Sequence, residues 1–143
     1  MKVYCDNGGY RKELKDLERQ GRVVLLMFPY ENINRKIGDI GQPSEATWKN
    51  LENFTWETLP GTFGDYEGSE KVFAIEKVIG RHNRVDVLHL DSAFKSDCSC
   101  FLTRDKDDIL SHGKLLTELL GMRFFHSDEE WNDFLIYLSE NSK

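Results

Sequence analysis

The stretch VVLLMF (residues 23–28) is a continuous apolar run that ends at PYE, with the carboxylate of Glu31 three positions on. An uninterrupted run of this kind is typical of a strand that is buried on both faces of a parallel sheet. A second such segment, CSCFLT (residues 98–103), is followed directly by RDKDD, which contains three carboxylates within four positions. We therefore expect a parallel sheet whose strands carry acids at their carboxyl ends.

Strands and helices alternate on either side of these runs. Residues 3–5 read as a short strand that ends at the turn sequence DNGG, and residues 122–125 as a last strand. Helices are predicted over residues 10–20, stopped by Gly21, and over residues 44–54, 67–80, 86–95 and 109–120, the last interrupted at Gly113. Strands that alternate with helices indicate an α/β layer fold with a mainly parallel sheet, here as a single domain over residues 1–143.

The last helix has the clearest start signal in the chain. Ser127 is followed three positions later by Glu130, which is the pattern of a capping box. Apolar residues then recur at the spacing of one helical face, at Trp131, Phe134, Leu135 and Leu138. We expect Ser127 to cap this helix.

Composition limits the class of protein. The chain has 143 residues with 39% hydrophobic content, no apolar run of 18 residues and no amino-terminal signal pattern, so we expect a cytoplasmic protein without a membrane segment. The three cysteines lack zinc-site spacing and are expected to be reduced packing thiols. A net charge of −6 argues against broad adhesion to nucleic acid, although Arg104 and Lys106 among the acids are candidates for holding substrate phosphates.

Several carboxylates are expected to meet at one edge of the sheet. Asp6, Glu31 and Asp105 each follow a predicted strand, and the carboxyl ends of parallel strands are where active sites form. Asp86 opens a predicted helix on the same edge. Each has an ordinary alternative: Asp6 and Asp105 as turn residues, Glu31 as a cap or solvated residue, and Asp86 as a helix N-cap with a staple between neighbouring apolar residues.

Clustered carboxylates raise one another's pKa unless a cation offsets the repulsion. Oxygen ligands without histidine or cysteine favour Mg²⁺ or Mn²⁺, and Mg²⁺ characteristically also binds substrate phosphates. The pattern thus indicates metal-assisted cleavage of a phosphodiester.

Five motifs in order resemble a known family. MKVYCDNGGYRK, PYEN, VDVLHLDSAF, CSCFLTRDKDDIL and LLGMRFFHSDEEW are similar to the motifs of PIN domains, in particular of a bacterial PIN-like subgroup with a D-N opening and a Y-E-N second motif. The resemblance covers nearly the whole chain, although residues 37–82 match only as helices and loop.

The resemblance implies a three-layer fold with a central, mainly parallel sheet flanked by helices. It also implies a Mg²⁺- or Mn²⁺-dependent ribonuclease with an RNA substrate, the toxin of a toxin-antitoxin pair with an antitoxin partner, and a homodimer. The implied metal-binding and catalytic acids are Asp6, Glu31, Asp86 and Asp105, with Asp108 in a further acid position that Asp107 could also fill. Thr103 matches the polar residue that accompanies Asp105, and Asn7 is expected to orient Asp6 or a bound water.

Other residues depart from the family pattern or leave alternatives open. His89 lies about 60° from Asp86 on a helix, so it faces the same side and either supports the site or packs the helix. Asp91 is about 140° from Asp86 and is expected outside the site. Gly8 and Gly9 replace the bulkier residues that are common in the family. The main alternative function is a catalytically degenerate PIN-like module for protein contacts. A second alternative, a receiver-type phospho-acceptor domain, requires a pair of acids near the start of the chain, and this sequence has Asp6 followed by Asn7 instead.

Overall fold

The computed structural model describes residues 1–6, 8–30, 36–39, 41–42, 44 and 68–141. In these residues the elements are β1 (Lys2–Cys5), α1 (Glu13–Arg19), β2 (Val24–Leu26), α2 (Val72–Ile79), α3 (Arg84–Lys95), β3 (Cys100–Thr103), α4 (Gly113–Leu120), β4 (Arg123–His126) and α5 (Trp131–Asn141). A 3₁₀ turn, Leu110–His112, leads into α4. The interruption predicted at Gly113 is the point where this turn becomes an α-helix.

The four strands form one parallel sheet in the order β2-β1-β3-β4. Tyr4 lies opposite Leu26 on one side and Phe101 on the other, and Phe101 in turn lies opposite Phe124. The α/β class and the central parallel sheet predicted from the alternating pattern are therefore confirmed.

Alternation along each strand divides the core into two layers of side chains. On one face, Tyr4, Phe101 and Phe124 pack with buried residues of α2, α3 and α4. On the other face, Val3, Cys5, Leu102 and Phe125 pack with Leu14 and Leu17 of α1 and with Phe134 and Leu138 of α5. Because a strand points successive side chains to opposite faces, the apolar runs of β2 and β3 cover both layers. The helices flank the sheet on both sides, as predicted.

The placement of the helices creates a topological switch between β1 and β3. The connection from β1 to β2 runs through α1 on one face, whereas the connections through α2, α3 and α4 pack on the opposite face. Ligands of open α/β sheets bind outside the strand carboxyl ends at such a point. The end of β1, at Asp6, and the end of β3, at Thr103, are therefore the expected position of a site.

The predicted capping box at Ser127 is wrong. Ser127 Oγ donates a hydrogen bond to the carbonyl of Gly9 at 2.6 Å, so its hydroxyl is used elsewhere. The Nδ1 atom of His126 accepts the backbone N–H groups of Asp128 at 3.1 Å and Glu129 at 3.0 Å, and Glu130 Oε1 accepts the N–H of His126 at 3.0 Å. A reciprocal set of hydrogen bonds forms instead between His126 and Glu130, four residues apart, in the turn before α5.

Other predicted boundaries differ at their ends. Helix α1 is shorter than residues 10–20, β2 is shorter than residues 23–28, and α2 is shorter than residues 67–80. The predicted helix over residues 44–54, apart from Ser44, and the segment 55–66 that follows it lie outside the described residues. The cysteines at 5, 98 and 100 are free and buried, as expected, and burial raises the pKa of the last two to about 12.

Within the described ranges, no helix combines the length and the apolar composition that crossing a membrane requires.

Candidate metal centre at the switch point

An open cleft of about 200 Å³ lies at the switch point. Its walls come from the ends of β1 and β3 and from the first two turns of α3. The lining residues are Asp6, Gly8, Val85, Asp86, His89, Thr103, Arg104 and Asp105. Three of the four predicted catalytic acids thus share one cleft, although they are far apart in sequence.

Three carboxylates form the core of the site. Ligand atoms of Asp86, Asp105 and Asp108 all lie within 4.8 Å of one another, and all three side chains are partly buried. Asp86 is in the first turn of α3, while the other two belong to the turn that follows β3. A set of hard oxygen donors at this separation fits a Mg²⁺ or Mn²⁺ ion. Of the two candidates for the further acid position, Asp108 joins this cluster.

Asp6 is the most buried acid of the cleft, with 7% of its surface exposed. Its Oδ2 accepts the hydroxyl hydrogen of Thr103 at 2.5 Å, and its Oδ1 accepts the N–H of Gly8 at 3.1 Å. Burial raises the pKa of Asp6 to about 6, and the nearby charge of Asp105 adds to the rise, while these hydrogen bonds oppose it. A cation in the cleft would favour the ionised form.

Thr103 links two of the acids. Its hydroxyl donates to Asp6 and accepts the backbone N–H of Asp105 at 3.0 Å. Asp105 Oδ1 in turn accepts the N–H of Asp108 at 2.9 Å. Asp6 and Asp105 therefore do bond their local backbone, as the turn alternative requires. An ionised carboxylate has about four acceptor sites, so these bonds leave capacity for a cation.

His89 lies in the cleft wall with 2% of its surface exposed. Its Nδ1 is 2.7 Å from the hydroxyl of Tyr4, and that hydroxyl accepts the N–H of Phe28 at 3.1 Å. Burial lowers the pKa of His89 to about 4, which keeps the imidazole neutral at physiological pH. The ring thus packs against the sheet and lines the same cleft as the acids.

The two basic residues expected to bind substrate are held in ion pairs. Arg104 donates from Nε and Nη2 to the two carboxylate oxygens of Asp128, at 2.6 and 3.0 Å, and Lys106 pairs with Glu129. Hydrogen bonding from Arg104 lowers the pKa of Asp128. Arg104 also donates to the carbonyls of Gly8 and Tyr10, so it fixes the loop after β1. A role in substrate binding stays a prediction for both residues.

Two predicted site residues, Glu31 and Asn7, lie outside the described residues. Asp91 lies outside the site, as expected: it is fully buried and accepts hydrogen bonds from Ser44 Oγ at 2.6 Å and Ser69 N at 3.0 Å. The N-cap alternative for Asp86 is wrong, because Asn83 occupies the N-cap position and α3 begins at Arg84.

Sequence reasoning missed the role of Gly9. A Cβ atom at this position would lie 2.0 Å from the carbonyl oxygen of Leu102, so only glycine allows the chain after β1 to pass the end of β3. At Gly8, by contrast, the nearest atoms would be 3.9 Å away. A glycine pair directly after a strand is the signal for such a close approach. Gly9 thus allows the close contact between the ends of β1 and β3. Gly8 lines the cleft and has space around it.

Comparisons of the chain with family models, with curated proteins and with solved structures found no match. The resemblance to PIN-like domains therefore rests on the motifs, and the activity that it implies is a proposal.

Proposed function

We propose that this protein is a Mg²⁺- or Mn²⁺-dependent endoribonuclease of the PIN-like type. The observation that carries the proposal is the meeting of Asp86, Asp105 and Asp108 within 4.8 Å, in and beside a cleft that also contains Asp6. Carboxylates brought this close repel one another unless a cation is present. The position of the cleft at the switch point supports a ligand site rather than a solvated turn.

Each residue has a defined part in this proposal. Asp86, Asp105 and Asp108 would hold the metal, and Asp6 would complete the acidic wall. When bound, the metal would supply an activated water and stabilise the charge that develops on the phosphate. The Thr103 hydroxyl donates to the Asp6 carboxylate and accepts the backbone N–H of Asp105, so it holds the Asp6 side chain and the Asp105 backbone in place.

The substrate class follows from the donor and acceptor balance of the cleft. The acids offer acceptors for a cation, and a cation recruits phosphate oxygens that the acids alone would repel. Arg104 lies at the rim, beside Gly8. The cleft is open to solvent, so an extended nucleic-acid strand can reach it. The resemblance to PIN-like domains implies that this strand is RNA.

The experiment is cleavage of a mixed single-stranded RNA pool by the purified protein in Mg²⁺, Mn²⁺ or EDTA. We expect cleavage in either metal, none in EDTA, and a loss of at least about 100-fold in Asp105→Asn, since even partners that only orient a metal ligand contribute about 10- to 100-fold. Asp107→Asn is the matched control, because Asp107 is exposed and lies outside the cluster. It should cleave at the wild-type rate.

Equal loss in both variants would contradict the assigned cluster. If the folded wild-type protein neither cleaves RNA nor binds Mn²⁺, the nuclease proposal fails and the alternative of a non-catalytic interaction module replaces it. Binding of Mn²⁺ can be followed separately, through the rise in unfolding temperature that a ligand of the folded state produces.

A further inference from the structure

Among the buried side-chain nitrogen and oxygen atoms of the described residues, one has no hydrogen-bond partner there. It is Nε2 of His89, in a residue with 2% of its surface exposed. Buried nitrogen and oxygen atoms are almost always paired, because an unpaired one loses its bond to water without replacement. An unpaired atom of this kind in a cleft wall is a candidate for a hydrogen bond to a ligand.

We assign the hydrogen of neutral His89 from the hydrogen bonds of Tyr4. The hydroxyl of Tyr4 already accepts the N–H of Phe28, so its own hydrogen is free to point at Nδ1 of His89, 2.7 Å away. Since a neutral imidazole has one donor and one acceptor, Nδ1 is then the acceptor and Nε2 carries the hydrogen. In this tautomer the unpartnered atom is a donor.

The position of His89 relates this donor to the acids. His89 lies three residues after Asp86 on α3, so the two side chains share a helical face, and both line the cleft with Asp6 and Asp105. Nδ1 bonds to Tyr4 of the sheet, and Nε2, separated from it by one ring carbon, leaves the ring in a different direction. Ionised carboxylates accept hydrogen bonds and cannot donate them. The Nε2–H group of His89 is therefore a donor in a cleft lined by acceptors.

We infer that Nε2–H of neutral His89 donates a hydrogen bond to a phosphate oxygen of the nucleotide bound in this cleft, and so positions the substrate beside the acids. The inference rests on the proposed function and assigns a further residue to it. A neutral donor suits this place because it does not repel a cation, whereas an imidazolium would. Arg104, the other donor at the rim, is already paired with Asp128.

The ring of Tyr30 is the competing acceptor. Its centroid lies 5.1 Å from that of His89 and the two planes are perpendicular, at 89°. An N–H directed at the face of that ring would be partly satisfied without any ligand. The experiment must therefore show where the hydrogen goes when a phosphate is present.

The test is long-range ¹H–¹⁵N spectroscopy of the full chain, labelled on histidine, with Mg²⁺ and uridine 5′-monophosphate as the probe. We expect the Nε2–H tautomer for His89 in the free protein at neutral pH. Its proton should move downfield when the nucleotide is added in Mg²⁺ but not in Mg²⁺ alone, while His82 and His112, away from the cleft lining, stay unchanged. The Nδ1–H tautomer overturns the inference. So does a shift in Mg²⁺ alone, or a proton that ignores the nucleotide and keeps the upfield position of a ring-face contact.

Two substitutions give a second readout. His89→Leu removes the donor and should weaken nucleotide binding in Mg²⁺ about tenfold, while His89→Gln keeps an amide donor and should recover part of it. The affinity for Mg²⁺ should be unchanged in both. Loss of Mg²⁺ binding with His89→Leu would mean that the residue acts through the metal, which overturns the inference.

Failure of this inference and failure of the proposed function are distinguishable. Mg²⁺ binding by the wild-type protein without any response of His89 to the nucleotide overturns the role of His89 and leaves the metal site standing. Absence of Mg²⁺ binding in the wild type overturns both. If neither variant folds, the spectra of the wild-type protein decide alone.

Discussion

Two neighbouring strands end in acid-rich segments that look alike in sequence but differ in structure. RDKDD follows β3, and SDEE follows β4. After β3, Asp105 and Asp108 come within 4.8 Å of a third carboxylate, that of Asp86. After β4, Asp128 and Glu129 instead pair with Arg104 and Lys106, the two bases of the first segment.

The difference follows from the position of each strand. β3 lies beside the switch point, so its carboxyl end faces Asp6 from β1 and the first turn of α3. β4 is at the edge of the sheet order and has β3 as its partner, so its acids meet the segment that follows β3. The repulsion between acids that face acids is relieved by a cation or by a proton, whereas acids that face bases form ion pairs with them. Topology, rather than the number of acids, separates a candidate site from a scaffold.

The largest expected effect is on the free energy of unfolding, and it has opposite signs for an acid of the cleft and an acid that follows β4. In metal-free protein at pH 7.5, we expect Asp6→Asn to raise the free energy of unfolding by about 2–3 kcal/mol, because the folded-state pKa is raised from 3.8 to about 6 and each unit corresponds to about 1.4 kcal/mol. The amide can still bond Thr103 after the hydroxyl rotates. Asp128→Asn should lower the free energy of unfolding, because it removes the partner of Arg104.

The effect of Asp6→Asn on the free energy of unfolding should depend on pH. A carboxyl with a raised folded-state pKa binds its proton more tightly when folded, so its contribution to stability is complete below about pH 4 and is lost as the pH rises through about 6. The stability gained by Asp6→Asn should therefore shrink as the pH falls from 7 to 4. Denaturant unfolding at several pH values measures it, and a gain that is constant with pH would contradict the buried-acid explanation.

The next effect concerns the close approach that brings β1 to β3. Gly9→Ala should lower the free energy of unfolding by about 2 kcal/mol, because its Cβ would lie 2.0 Å from the Leu102 carbonyl oxygen and the backbone must move. Gly8→Ala is the matched control, since a Cβ there meets nothing closer than 3.9 Å. Thermal unfolding of both variants tests this, and equal losses would show that the turn, rather than the contact, requires glycine.

The sequence predicted the fold well because the relevant signals are local and strong. The apolar runs of β2 and β3 occupy both faces of the sheet, and only a parallel sheet covered by helices buries both. The end of β4 was less predictable. Ser127 has the right spacing for a cap, but its hydroxyl bonds to Gly9, which is 118 residues away in sequence, and His126 accepts the backbone N–H groups of the turn instead. A local pattern cannot reveal a competing long-range partner.

The sequence predicted which acids form the site, but it did not predict the partners of the neighbouring side chains. Asp6, Asp86 and Asp105 share a cleft, as the rule for strand ends suggested. The ion pairs of Arg104 and Lys106 depend on β4 lying beside β3, which the linear sequence does not specify. The orphaned nitrogen of His89 depends on the hydroxyl of Tyr4, from a strand 85 residues away. Site residues can be proposed from local pattern, but their partners follow from topology.

The smallest expected effect on stability comes from Lys106 and its partner. Both side chains of the Lys106–Glu129 pair are 57% exposed, and exposed pairs contribute little, so Lys106→Gln should leave the unfolding temperature unchanged. If Lys106 also contacts a phosphate, the same change weakens RNA binding and reduces its dependence on salt by about 0.7 in logarithmic slope, the value for one contact to a single strand. Glu129→Gln is the opposing control, because it releases Lys106 and should strengthen binding. Titrations of labelled RNA at several salt concentrations measure both variants. Weaker RNA binding in Lys106→Gln with stronger binding in Glu129→Gln would show that Glu129 competes with RNA for Lys106. Unchanged RNA binding in both variants would show that Lys106 does not contact the RNA.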